Sequence, residues 1–259
     1  MAKVKWVTFP HPSKTFAYGG DALRKGWPKL HRGDCEPYPK DAAAQEAWRL
    51  FHRGEFEAAV EQGLAAGGSG IVAANKAQAI YANGVETREA TRLALLEEVM
   101  RRAEAQAAAE PKNPNAHYLF AYAAGRYSQR ISVVKALAQG YGGRIRAALE
   151  KTLALAPKHA DAHTALGMFH AEILDKVGAL VGGVTYGAKR DQGENHLRRA
   201  MELDPDSPIA HLEAARGLAM LHGKKALDEA GKLRARAAAM KPRDAMEKLD
   251  VEAAKAARE

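Results

Sequence analysis

The chain has a single cysteine, Cys35, in 259 residues, so it makes no internal disulfide and nothing in it requires an oxidising compartment. A free structural thiol is the expected role for Cys35. Aromatic residues make up only 7%, too few for a protein built on sheets, whose strands favour branched and aromatic side chains. No apolar run approaches the length of a bilayer span. The N-terminus, MAKVKWVTFPHPSKTF, has no apolar signal core, lipobox cysteine or small-residue cleavage site, so a cytoplasmic location is expected. The phosphate-binding GxxxxGK[ST], the zinc-protease HExxH, the GxSxG elbow and paired-cysteine metal patterns are all missing. With no catalytic constellation of a usual kind, the expectation is a protein that is not an enzyme and needs no cofactor.

Alanine is abundant throughout, which suits closely packed helices. The net charge is +8, and the first forty residues supply +5 of it, eight Lys and Arg against Asp21, Asp34 and Glu36. The rest is close to balanced. No basic run interleaves with aromatics on one face, so nucleic acid or an acidic partner is a minor alternative.

Three segments align. In PKNPNAHYLFAYA, PKHADAHTALGMF and PDSPIAHLEAARG, a proline is followed five residues later by an Ala-His pair and then by two apolar or small residues. Pro111, Ala116, His117, Phe120 and Ala121 thus match Pro157, Ala162, His163, Leu166 and Gly167, and these match Pro205, Ala210, His211, Ala214 and Ala215. This bears on HADAHTALGMFHAE, where His159, His163 and His170 fall near one helical stripe with the spacing of a zinc site. Because His163 recurs in all three units, it reads as a packing wedge between helices, with no metal bound.

The chain divides into three expected parts. Residues 1–40 are rich in Pro and Gly and hold Trp6 and Trp27; they form an irregular arm with one short turn near Asp21 to Gly26. The arm is too aromatic to be a solvated tail, so Trp6, Phe9, Phe16 and Trp27 are expected to lie on the helices. Its RGD triplet, Arg32 to Asp34, reads as chance. Residues 41–242 carry helix pairs: one around a turn at Arg53-Gly54-Glu55, one at about 70–83 and 87–109, then the three aligned units starting near Pro114, Ala160 and Pro208. Residues 243–259 form a charged helix or tail. Pro111, Pro157 and Pro205 are 46 and 48 residues apart, longer than the final unit, and the excess lies between paired helices. Both inserts, RISVVKALAQGYGGRI and ILDKVGALVGGVTYGAKRD, are apolar with a glycine cluster and a tyrosine, Tyr141 or Tyr186.

GEFEAAV at Gly54 to Val60, LDEA before a closing AMKP, and RRAMELDPDSPIAHLEAARG resemble tetratricopeptide repeats. The resemblance covers about 41–242. It implies an all-α, right-handed superhelix of antiparallel helix pairs, here with long inter-helix inserts and the N-terminal arm added. A narrower stretch, ALGMFHAEI and then an insert ending GGVTYGAKRDQGENHLRRAMELDP, is similar to the T component of tripartite ATP-independent periplasmic transporters and to regulator of microtubule dynamics proteins. That resemblance implies an oligomeric helical component acting beside a solute-binding protein, though the lipoprotein signal of the T component is absent.

The expected function is a scaffold that binds a peptide, a helix or a partner protein on its concave face. The positions turned away from the Ala-His-x-x-small stripe are Asn115, Tyr118, Tyr122 and Arg126 in one unit and Asp161, Thr164, Met168 and Glu172 in the next. In the last they are Ile209, Leu212, Arg216 and Met220. The inserts carry more apolar surface than a hairpin turn needs. They are expected either to make a homo-oligomer or partner complex through Val133 to Tyr141 and Val177 to Tyr186, or to pack on each other as an extra helical pair.

Overall fold

The computed structural model describes residues 5–257, without the side chain of Val133; the ends of the expected arm and tail lie outside the described residues. The described chain is all-α. It divides into two compact units, the first holding the chain up to His31, Glu36–Arg130 and Arg243–Met246, the second Arg32–Cys35, Ile131–Pro242 and the chain from Glu247 on.

In the first unit, a 3-10 turn at Lys14–Phe16 precedes α1 (Ala22–Leu30), so the expected short turn is a full helix. The helix pair α2 (Ala42–Arg53) and α3 (Phe56–Ala66) comes after it, started by Asp41, whose carboxylate accepts from the backbone N–H groups of Ala43 and Ala44. Next come α4 (Gly70–Gly84), α5 (Glu89–Ala109) and α6 (Pro114–Ile131). Phe9, Phe16 and Trp27 are buried, and Trp6 lies with its ring centroid 4.0 Å from that of Tyr81. The described arm as far as His31 is therefore packed into this unit, while Arg32–Cys35 belong to the second.

The arm's first described residues are tied at the α4–α5 corner. The backbone N–H of Val7 donates to the Tyr81 hydroxyl at 2.8 Å, and Arg88 Nη2 donates to the Lys5 carbonyl at 2.7 Å. Both groups converge on Glu86, which is fully buried: its carboxylate accepts from Arg88 N–H at 2.8 Å, from the Arg88 guanidinium at 2.7 Å and from Tyr81 at 3.3 Å. This is the start signal of α5, whose N-cap is Arg88. Hydrogen bonds from Arg88, outweighing the cost of burial, lower Glu86 from 4.5 to about 2. A depressed carboxylate stabilises the fold above its unfolded value and ceases to do so as it protonates. Glu86→Gln is therefore expected to cost roughly 1–2 kcal/mol at pH 7, and to cost progressively less as pH falls from 4.5 towards 2, as read by denaturant midpoints.

In the second unit, α7 (Val133–Ala138) and α8 (Tyr141–Leu155) lead to α9 (Ala160–Tyr186), α10 (Arg190–Leu203), α11 (Pro208–His222), a 3-10 turn at Gly223–Ala226 and α12 (Leu227–Ala239). The last helix, α13 (Ala245–Ala256), begins in the first unit and continues in the second. Met168, Ala171, Leu197, Ala214, Leu218 and Leu221 form one buried cluster across α9, α10 and α11. Gly167 stands at the small position of its unit for a steric reason: a Cβ there would meet Leu197 at 2.7 Å and the Gly193 carbonyl at 3.0 Å. A side chain would push α9 and α10 apart.

Both inserts fold within the second unit. Gly178 (φ 80°, ψ 165°) breaks α9, and the chain beyond it turns back, so that a Cβ on Gly182 would lie 3.1 Å from Ile173 and 3.3 Å from Leu174. Only glycine takes that backbone conformation without strain. The two inserts also touch each other. A Cβ on Gly142 would meet Leu137 at 2.6 Å and the Tyr186 ring at 3.1 Å, and Arg146 Nη1 donates to the Tyr186 carbonyl at 3.0 Å. That is the internal pairing, one of the two arrangements expected.

Candidate functional site

The Ala-His-x-x-small units put their helix starts at Pro114, Ala160 and Pro208, as the alignment requires. The repeat histidine, however, is not a wedge in all three. His117 and His163 are half-buried, and their Nε2 atoms lie 3.1 and 3.2 Å from the carbonyls of Pro111 and Pro157, six residues back. A carbonyl only accepts, so each ring donates from Nε2 and closes the incoming loop. His211 is buried, as expected, and its Nδ1 contacts the Ser207 carbonyl at 3.0 Å; Arg236 Nη2 donates to the Pro205 carbonyl in its place. The proline carbonyl is the constant of the motif, and the donor varies.

His159 caps α9, its Nδ1 accepting from Ala162 N–H at 3.0 Å. His170 accepts from Lys189 N–H at 3.3 Å. The ring that sequence reading missed is His196 on α10, in a segment, ENHLRRA, with no repeat to mark it. Its Nδ1 is 2.8 Å from Nδ1 of His163, and its ring stacks on His170 at 6.2 Å between centroids. With Nε2 of His163 donating to Pro157, the neutral pair is fixed: His196 Nδ1–H donates to a bare His163 Nδ1. Burial, then the proximity of His196 and Arg146, pushes His170 down to about 4. Burial and then His163 push His196 to about 4, and burial with Arg199 lowers His163. Among the described residues no group of three His, Cys, Asp or Glu is arranged to hold a metal ion.

Cys35 is exposed at φ 52°. Crowding around its sulfur, then the carboxylates of Asp34 and Asp161, raise the thiol to about 11. The RGD triplet is folded into the second unit: Asp34 is buried, Gly33 accepts from Asp161 N–H at 3.0 Å, and Arg32 lies 3.5 Å from Asp206.

The expected concave positions separate into two sets. Asn115 is buried, donating to Glu36 of the arm at 2.6 Å, and Tyr118 is buried beside it on α6. Thr164 is buried with its hydroxyl donating to the Ala160 carbonyl, Met168 belongs to the α9–α11 core, and Leu212 packs against Ala237, Ala238 and Ala254. The half-buried or exposed set is Tyr122, Arg126, Asp161, Glu172, Arg216 and Met220, with Ile209 half-buried. On α6, Tyr122 stands 6.1 Å from Tyr118, and the Arg126 guanidinium lies 5.3 Å from the centre of the Tyr122 ring while donating to Gln129 at 3.1 Å. Arg216 lies 3.5 Å from Glu213 on α11.

No family model and no curated protein matches the chain. Among solved structures it is similar to a thermophilic tetratricopeptide-repeat protein of Thermus thermophilus, at 18% identity over 83% of this chain and 97% of that one, with a TM-score of 0.58. A monomeric IFIT1 mutant solved with m7Gppp-AAAA aligns at 18% identity over 77% of this chain and 50% of that one, with a TM-score of 0.45. The likeness to the first shows the fold: the protein is an all-α, tetratricopeptide-like array of helix pairs.

Proposed function

We propose that the protein is a non-enzymatic scaffold, and that it holds an extended peptide, a helix or a partner protein on the accessible part of its helical faces. The observation that carries the reading is the pair Tyr122 and Arg126 along α6, with buried Tyr118 behind it. A ring and a guanidinium succeed one another there, both half-buried and stacked. Tyrosine and arginine dominate binding hot spots because they offer large area with a polar end. Glu172 on α9 and Arg216 with Met220 on α11 are the corresponding accessible positions of the second unit. Buried Asn115, Tyr118, Thr164, Met168 and Leu212 hold those faces in shape.

Extended peptides selected by display against the full chain supply the probe. Tyr122→Ala and Arg126→Ala are each expected to weaken the selected peptides about tenfold or more, by fluorescence anisotropy, with unchanged thermal midpoints. Selected peptides indifferent to both changes, and to Arg216→Ala and Met220→Ala, overturn the reading. A second version of it, a transporter-associated component pairing with a solute-binding protein, rests on the stretch from Ala165 to Pro205 that resembles the T component. It requires that such a protein bind the same faces.

A further inference from the structure

Beyond the α6 face, the folded inserts carry a surface of a different kind. Residues 177–188 contain no charged side chain, and the half of α9 beyond Gly178 turns its apolar residues outward: Leu180 is 81% and Val184 82% exposed, with Val181 and, on α7, Val134 exposed beside Lys135. Soluble helices put such residues inside. Here the inward side is taken by Gly182 and Tyr186, so the apolar side has nothing in the described chain to cover it. Charge brackets the run. Lys176 precedes it and Lys189 and Arg190 come after it, with Arg144 exposed at the start of α8. Of the nearby carboxylates, Asp175 is held by Lys176 and Glu150 by Arg146; Asp191 lies at the base and Glu172 one turn before Lys176.

From this arrangement we infer that the insert lobe docks on an anionic lipid surface, Leu180, Val181 and Val184 entering the interface while Lys135, Lys189 and Arg190 meet the headgroups. Charge decides between occupants. A second copy paired face to face would set one basic end of the patch against the other, because a two-fold interface exchanges the ends and both are basic. An anionic bilayer neutralises them and also takes up the apolar residues. The absence of aromatic anchors in the exposed set fits a shallow, reversible contact, and no helix of the described chain is long and apolar enough to span.

The test is flotation of the full chain with vesicles of phosphatidylcholine alone and with about one-third phosphatidylserine, alongside light scattering. Binding is expected to the anionic vesicles only, to fall with added salt, and to drop about tenfold or more in Leu180→Asp/Val184→Asp and in Lys189→Glu/Arg190→Glu. Both pairs are exposed, so their thermal midpoints are expected to match the parent. Three results each overturn the inference: no binding to anionic vesicles, equal binding to neutral ones, or a dimer that Leu180→Asp/Val184→Asp dissociates. The last makes the patch a contact between copies. None of them bears on peptide binding at Tyr122 and Arg126, which these variants leave intact.

Discussion

Asp244→Ala is expected to destabilise the first unit by about 3 kcal/mol or more. The Asp244 carboxylate lies 2.7 Å from Nδ1 of His52, and their side chains are 3% and 1% exposed. His52 Nε2 is in turn 3.3 Å from His31 Nε2, so a chain Asp244–His52–His31 runs through the core. Aromatic rings enclose it: Trp27 stacks on His31 at 3.8 Å, and Trp48, fully buried, lies near-parallel to His52 at 5.9 Å. With His52 donating from Nδ1 to the carboxylate, its Nε2 faces His31 as an acceptor, so the His52 tautomer depends on Asp244. Removing the carboxylate leaves the His52 Nδ1 donor without it among buried tryptophans. It also loosens residues 243–246, which Tyr18 holds by donating to the Arg243 carbonyl at 2.6 Å. All three tryptophans belong to this unit, so fluorescence during urea unfolding reads it selectively. Asp244→Asn, which keeps an acceptor, should lose about half as much. A loss below about 1 kcal/mol in Asp244→Ala would show that the chain of rings stands without its carboxylate.

The second unit is expected to fail in acid for a different reason. His170 is buried and held to about 4, well below the 6.5 of an ordinary histidine, so the folded state binds its proton later than the unfolded one. The neutral ring therefore contributes stability that is complete above about pH 6.5 and is lost as pH falls towards 4. A shift of that size on a buried ring corresponds to about 3 kcal/mol by pH 4. His196 and His163 add to the loss in the same direction, since burial disfavours their charged forms first, with His163 acting on His196 and Arg199 on His163. Glu150 and Asp191 oppose it only weakly. Far-UV circular dichroism in denaturant from pH 7 to 4.5 measures this. His170→Asn offers Lys189 N–H an acceptor that does not titrate, and its stability should fall clearly less over the same range. A flat profile for the parent protein would mean that the cluster is not held neutral. Glu86 titrates in a lower window, so the two effects separate.

The helix pairs were legible because they depend on local signals that the chain repeats. Pro111, Pro157 and Pro205 stand just beyond the ends of α5, α8 and α10, Gly54 ends α2, Asp41 caps the start of α2 and Ser207 that of α11. The small residues at Ala121, Gly167 and Ala215 show where neighbouring helices approach. Accessibility at the candidate positions was legible in part. Tyr122 and Arg126 were placed on an accessible face by periodicity alone, whereas Leu212 and Met168, on the same stripe by the same count, are buried. Periodicity fixes which side of a helix a residue takes. It does not say whether α12 and α13, or α10, will cover that side.

Spacing along the chain is therefore enough to establish the all-α class, the pairing of helices and the aromatic arm's need for cover. Contacts between residues distant in sequence are settled only when the chain is folded. His196 meets His163 across 33 positions, and Asp244 meets His52 across 192. Neither pair carries a local signature, since a ring that will be buried and a ring that will stay wet have the same letter. The same holds for the apolar insert. Its composition required cover for one side, and only the reversal at Gly178 determined that Gly182 and Tyr186 would turn inward while Leu180 and Val184 face the solvent.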